Sequence, residues 1–129
     1  TTGTHEEAPG AVITASELQA AQRLVRRIPV GESVVEAILQ LVRSGRPDDG
    51  GLEAVRRHIA WGPGPRASQA LMLAVRARAL LEGRLSPSLD DVTALAPPIL
   101  RHRMALNFAA RADGVTIEQV IGRLLEPLT

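Results

Sequence analysis

Apolar residues recur at helical spacing through most of this chain. After an irregular opening, Leu18, Ala21, Leu24, Val25 and Ile28 follow one another at intervals of three and four or sit directly beside such a position. Thr14 and Glu17 stand before them at the spacing of a capping box, and Pro29 closes the segment because it restricts Ile28 to extended geometry and removes a donor. A second helix is expected from about Gly31–Ser33, with Val34, Val35, Ile38, Leu41 and Val42 on its inner face. It stops at the breaker cluster running from Gly45 to Gly51. Leu52–Arg57 has room for a short helical turn, and His58–Trp61 is short enough to be a small strand.

The longest pattern starts at Pro65 and runs to Glu82. Ala70, Leu73, Ala74, Ala77, Leu80 and Leu81 make one stripe, widened by Leu71 and Val75, so that Gln69, Arg76 and Glu82 are left pointing outward. A helix apolar over most of its circumference is one that others surround. Gly83 supplies a left-handed stop, and Ser88 with Asp91 opens a further helix carrying Leu89, Val92 and Leu95. Pro97–Pro98 is expected to end or kink it. An apolar run broken by Arg101–His102–Arg103 follows, and Asp113–Gly114 reads as a turn. Thr116 and Gln119 then cap a last helix bearing Ile117, Val120, Ile121, Leu124 and Leu125. These segments predict an all-α bundle of about five or six helices, with one minimal strand pair joining the regions of Ile59 and Met104. Residues 1–13 read as a linker or domain junction, and 14–127 as one helical unit.

Composition narrows the class. With 129 residues, 45% of them hydrophobic and 22% charged, the chain has the size and balance of one globular domain. Trp61 and Phe108 are the only aromatics, so the core must be built of Leu, Val, Ile and Ala, which favours helices. No stretch approaches the ~20 apolar residues of a membrane span. The absence of cysteine rules out disulfides and thiolate metal sites and fits a reducing compartment, so the expected location is the cytoplasm. The net charge of +1, with every cation an arginine, argues against a general nucleic-acid binder.

Candidate chemistry is sparse. Without lysine there is no phosphate-loop signature, and His5, His58 and His102 lack paired metal-ligand spacing, so each reads as a surface or packing residue. Asp90 and Asp91 sit in a first turn, where carboxylates favour the helix dipole, a reading that comes ahead of a catalytic one. The Arg101–His102–Arg103 cluster reads as a solvated edge or a source of internal salt bridges, with phosphate contact as the other possibility. The stretch GPGPRAS, Gly62 to Ser68, is different. Its glycine-rich entry into a long helix puts free N–H groups at a positive helix end, with Gly64 as cap, Pro65 at the first helical position and Arg66 in the first turn. A cation there is disfavoured by about 0.3–1 kcal/mol unless something negative lies near. Either a carboxylate from another element answers Arg66, or Arg66 is aimed at a phosphate.

Three blocks in order, GPGPRASQALMLAVRARALLEGR, SPSLDDVTALAPPILRHRMALN and TIEQVIGRLL, resemble the C-terminal helical lid subdomain of MoxR-type AAA+ ATPases. VITASELQAAQRLVRRIPV and VVEAILQLVRSGR resemble the start of the same lid, so the likeness covers nearly all of residues 11–127. It implies a ring-forming, chaperone-like ATPase, often acting on proteins with a von Willebrand A-type domain. The lid would close over ATP and Mg held by a preceding α/β core. The sensor-two arginine of that family falls on Arg66, and the nucleotide-facing helix start on Gly64, Pro65 and Arg66. The usual Ala-Ser before the proline is here Pro63–Gly64, a change of cap that costs a few tenths of a kcal/mol. The core with its Walker motifs lies outside the sequence, so the resemblance makes the chain a fragment that cannot hydrolyse ATP alone, from a parent that does. Two other readings remain: a stand-alone helical protein-interaction module, and, least favoured, a helical nucleic-acid binder using Arg56, Arg57, Arg101 and Arg103.

Overall fold

A computed structural model describes Gly3 and residues 7–129; His5 lies outside the described residues. Residues 7–13 form no helix or strand. From there the chain forms α1 (Ala15–Arg27), α2 (Glu32–Ser44), α3 (Glu53–His58), β1 (Ile59–Trp61), α4 (Pro65–Leu81) and α5 (Leu89–Leu100). It continues through β2 (Ala105–Leu106), α6 (Phe108–Asp113) and α7 (Ile117–Leu125) to a 3₁₀ turn at Glu126–Leu128. The fold is all-α apart from one minimal sheet, in which β1 and β2 pair antiparallel with Ile59 opposite Leu106 and Trp61 opposite Ala105. No helix among the described residues is long and apolar enough to cross a membrane.

Helix starts follow the sequence closely. Thr14 and Glu17, and again Thr116 and Gln119, exchange side-chain and backbone hydrogen bonds of 2.9–3.3 Å, each pair satisfying two amides that a helix start leaves free. Gly83 and Gly114 take left-handed φ of 73° and 69° just past α4 and α6. After α4 the bonds from Gly83 N–H to the Leu80 carbonyl and from Arg84 N–H to the Ala79 carbonyl complete the stop. The helix α6 arises where the sequence shows only a short run: Asn107 accepts a bond from the Ala110 amide while its own amide groups bond the Arg57 and His58 carbonyls, tying the α6 start to the end of α3.

Helix α4 is the central element, packed against α5, α2 and α1. Its deepest row differs from the expected stripe. Ala67, Leu71, Val75 and Ala79 are fully buried, whereas Leu73 is 41% and Leu81 87% exposed. A helix apolar nearly all round offers periodicity no preferred face, so the neighbours decide the rotation: α2, α5 and α7 bring Ile38, Val42, Val92, Leu100 and Ile121 into one core with Leu71 and Val75. Arg76, expected to point outward, is half-buried. Of the two outcomes expected at Pro97–Pro98, the stop does not occur, because α5 runs through both prolines to Leu100. Each interior proline forfeits a ladder bond at a cost of about 3 kcal/mol. Here Ala96 and Leu100, both fully buried, anchor the helix on either side, and the two deprived carbonyls belong to Thr93, which is half-buried, and Ala94, which is exposed.

Candidate functional site

The stretch from Gly62 to Ser68 is held from below before its charge is presented. Gly62 lies so close to the end of α2 that a Cβ would run into the Gly45 carbonyl oxygen and come within 2.8 Å of the Arg46 Cα. Arg46 Nε donates to the Pro63 carbonyl at 2.8 Å, and Pro63 itself is buried. Gly64 then caps α4 in an extended conformation with no side chain bonding the first-turn amides, and Pro65 occupies the first turn. Ala67, one residue beyond Arg66, is fully buried and fixes the base of that turn. Arg66 therefore stands exposed on a rigid mount. The first turn of α4 holds no acidic residue, and among the described residues Arg66 has no ion pair. The two halves of the sequence expectation separate here: no described carboxylate answers this arginine.

The far end of α4 is the reverse. Arg78 Nη1 donates to Asp91 Oδ1 at 2.6 Å, and Arg84 grips both oxygens of the same carboxylate at 2.6 and 2.7 Å. The Ser88 amide adds a bond of 2.7 Å to Asp91, and Glu82 pairs with both arginines. Asp91 is fully buried, and the Arg84 guanidinium, followed by the Ser88 amide and Arg78, holds its carboxyl below the usual range against the opposing effect of burial. Arg84 is correspondingly raised, first by its bond to Asp91 and then by Glu82. Asp91 is thus more than the favourable dipole charge that its place in a first turn suggests. It is the pin between α4 and α5, while its neighbour Asp90 is exposed. The cap spacing from Ser88 to Asp91 signals the carboxylate's local role, but the Arg78 contact depends on how the two helices fold back on each other.

The model of the AAA lid domain family matches residues 52–124, which include Arg66 and the whole Asp91 cluster. The chain belongs to the AAA lid domain family. Its similarity extends to Chaperone MoxR1 of Mycobacterium tuberculosis, 32% identical over 116 residues, covering 89% of this chain and 31% of that protein. YeaC of Bacillus subtilis, an uncharacterized protein, is 33% identical over 104 residues, or 81% of this chain and 30% of YeaC. A crystal structure described as a candidate ATPase from Cytophaga hutchinsonii superposes with a TM-score of 0.74 at 32% identity, over 80% of this chain and 32% of that one. The chain thus spans about a third of the length of the relatives it matches, and among lids it is of the MoxR kind.

The remaining candidates on the lid are mostly engaged internally. His58 Nε2 lies 2.9 Å from Asp113 Oδ2 and Arg57 lies 3.3 Å from the same oxygen, which together hold the Asp113 carboxyl below its ordinary value, His58 first. Arg101 pairs with Glu118 at 3.4 Å, Arg103 bonds the Ile99 carbonyl at 2.8 Å, and His102 is exposed. Of Arg56, Arg57, Arg101 and Arg103, then, three have partners inside the lid. No group of three His, Asp or Glu side chains that could hold a metal ion occurs among the described residues.

Proposed function

We propose that this lid closes over ATP bound by an α/β AAA+ core outside the chain, with Arg66 reaching the terminal phosphate. The single observation that carries this reading is the exposed, unanswered Arg66 at a helix start whose amides no side chain caps. The residues present fit an anionic group on that side: a cation is destabilised by the positive end of α4 until negative charge arrives, and the same end attracts phosphate. Gly64 leaves the approach to the helix mouth open, since nothing lies within 4 Å of where its Cβ would be. The triphosphate with its Mg would supply the bond that breaks; the lid's part is to orient, to exclude water and to place one positive charge where charge accumulates. Mg is then held by groups of the core.

An arginine whose favourable partner exists only when nucleotide is bound makes the lid angle depend on nucleotide state. That dependence is the physical basis for the larger reading, in which the parent protein is a cytoplasmic, ring-forming ATPase that couples hydrolysis to chaperone-like remodelling of a partner protein, including one with a von Willebrand A-type domain. The test is Arg66→Ala in the full-length parent. Steady-state ATP turnover should fall by about 10–100-fold, as for loss of one preorganised charge in a site, while circular dichroism and thermal melting remain those of a folded lid. Turnover equal to the unsubstituted protein would remove Arg66 from the reaction.

A further inference from the structure

Beside the contact of α1 with α4 runs an open groove that the nucleotide reading does not use. Two adjoining hollows of about 510 and 610 Å³ share Arg26 and Leu73. One extends along α1 past Arg23, the other along α4 to Arg76. Among the described residues neither is lined by any Asp or Glu, although the chain has 14 acidic residues against 15 basic ones. Among the described residues Arg23, Arg26 and Arg76 form no ion pair, and the Arg76 Nε is buried without a hydrogen-bond acceptor. Nothing among the described residues therefore ties the Arg76 guanidinium to a carboxylate of the lid. The floor is apolar, formed by Val25, Leu73 and Ala77, and α1 has no buried residue at all despite its amphipathic pattern.

Cations around an apolar floor specify both signs of a partner: apolar side chains below and carboxylates at the rim. Arg23 and Arg26, three apart on one helix face, match carboxylates that recur at the same spacing on a facing helix. A phosphate backbone would satisfy the arginines but leave the leucine floor uncovered, and neither aromatic residue of the chain lines the groove for bases to stack on. We propose that the α1–α4 groove docks an acidic amphipathic helix of a partner protein, its apolar face on Leu73 and Val25 and its carboxylates on Arg23, Arg26 and Arg76. This site does not depend on the role of Arg66.

Fluorescence anisotropy with a labelled, N-acetylated helix of about 16 residues, Leu and Glu at intervals of three and four, tests the proposal on this chain. The Glu helix should bind, its Lys-for-Glu counterpart should not, and added salt should weaken binding. Arg26→Glu should weaken it at least about tenfold, whereas Arg111→Glu on α6 should leave it within about twofold. Arg26 is exposed, so its variant should fold, and a thermal melt checks this; Arg23→Gln gives the same reading at a second position. Equal binding of the Lys helix, or no change in a folded Arg26→Glu chain, overturns the proposal. So does a single-stranded oligonucleotide that competes with equal affinity, self-association abolished by Arg26→Glu, or loss of peptide binding in the longer parent chain, which would assign the groove to nucleic acid, to a second copy or to the parent's own core.

Discussion

The two ends of α4 carry arginines under opposite conditions. At the C-terminal end Arg78 lies where a cation suits the helix dipole, and with Arg84 it is bound to a fully buried carboxylate. At the N-terminal end Arg66 opposes the dipole, is exposed and forms no ion pair among the described residues. The first arrangement is complete within the lid and fixes the angle between α4 and α5. The second is incomplete within the lid and becomes favourable only when something negative is supplied. A charge whose surroundings already satisfy it serves the fold, and one whose surroundings oppose it is the better place to look for function.

This contrast can be broken most severely at Asp91. Asp91→Ala should destabilise the lid by about 2–4 kcal/mol, below the largest values for buried pairs because Arg78 and Arg84 are each 34% exposed and can rehydrate. Denaturant melts measure it, and a loss under about 1 kcal/mol would demote the cluster to an ordinary surface pair. Next is Gly62→Ala, where the new methyl meets the backbone of Gly45 and Arg46. A cost of about 1–3 kcal/mol is expected, with lower ATP turnover in the parent because the mount of Arg66 shifts.

Acid sharpens the comparison further. Asp91 is depressed, so its contribution is fully present above the unfolded carboxylate value of about 4 and is lost as pH falls toward its folded value; Asp113, depressed by His58, adds in the same direction. Stability should therefore decline below about pH 4, and Asp91→Asn should flatten that decline by at most about 1.4 kcal/mol per pH unit. Parallel curves for the two chains would show that the Asp91 cluster is not the acid-labile element. The smallest effect is expected at Arg66→Ala: removing a cation from the first turn of the isolated lid should raise stability by about 0.3–1 kcal/mol. A loss of similar size would mean that Arg66 has a stabilising partner after all.

Helix limits and caps were legible because they depend on neighbours in sequence. Thr14 with Glu17, Thr116 with Gln119, Gly64 before Pro65, and Gly83 each act over three or four residues, and each forms as its spacing implies. The strand pair near Ile59 and Met104 was readable for a similar reason, as two short apolar runs between breakers. At the candidate site the sequence placed Arg66 in the first turn of α4, but whether a carboxylate answered it depended on distant elements. Pro97–Pro98 did not stop α5, because the local cost was outweighed by the burial of Ala96 and Leu100.

By itself, the sequence determined the order of the helices other than α6, most of their caps, the aliphatic core composition and the position of GPGPRAS at the mouth of the longest helix. Only the tertiary structure decided which face of α4 is buried, that Asp91 joins Arg78 across 13 residues, and that Gly62 and Gly45 meet to fix the mount of Arg66. The reason is range. Caps and turns are set by hydrogen bonds a few residues long, whereas the rotation of an all-round apolar helix and the pairing of its charges follow from neighbours brought close by the packing of the whole chain.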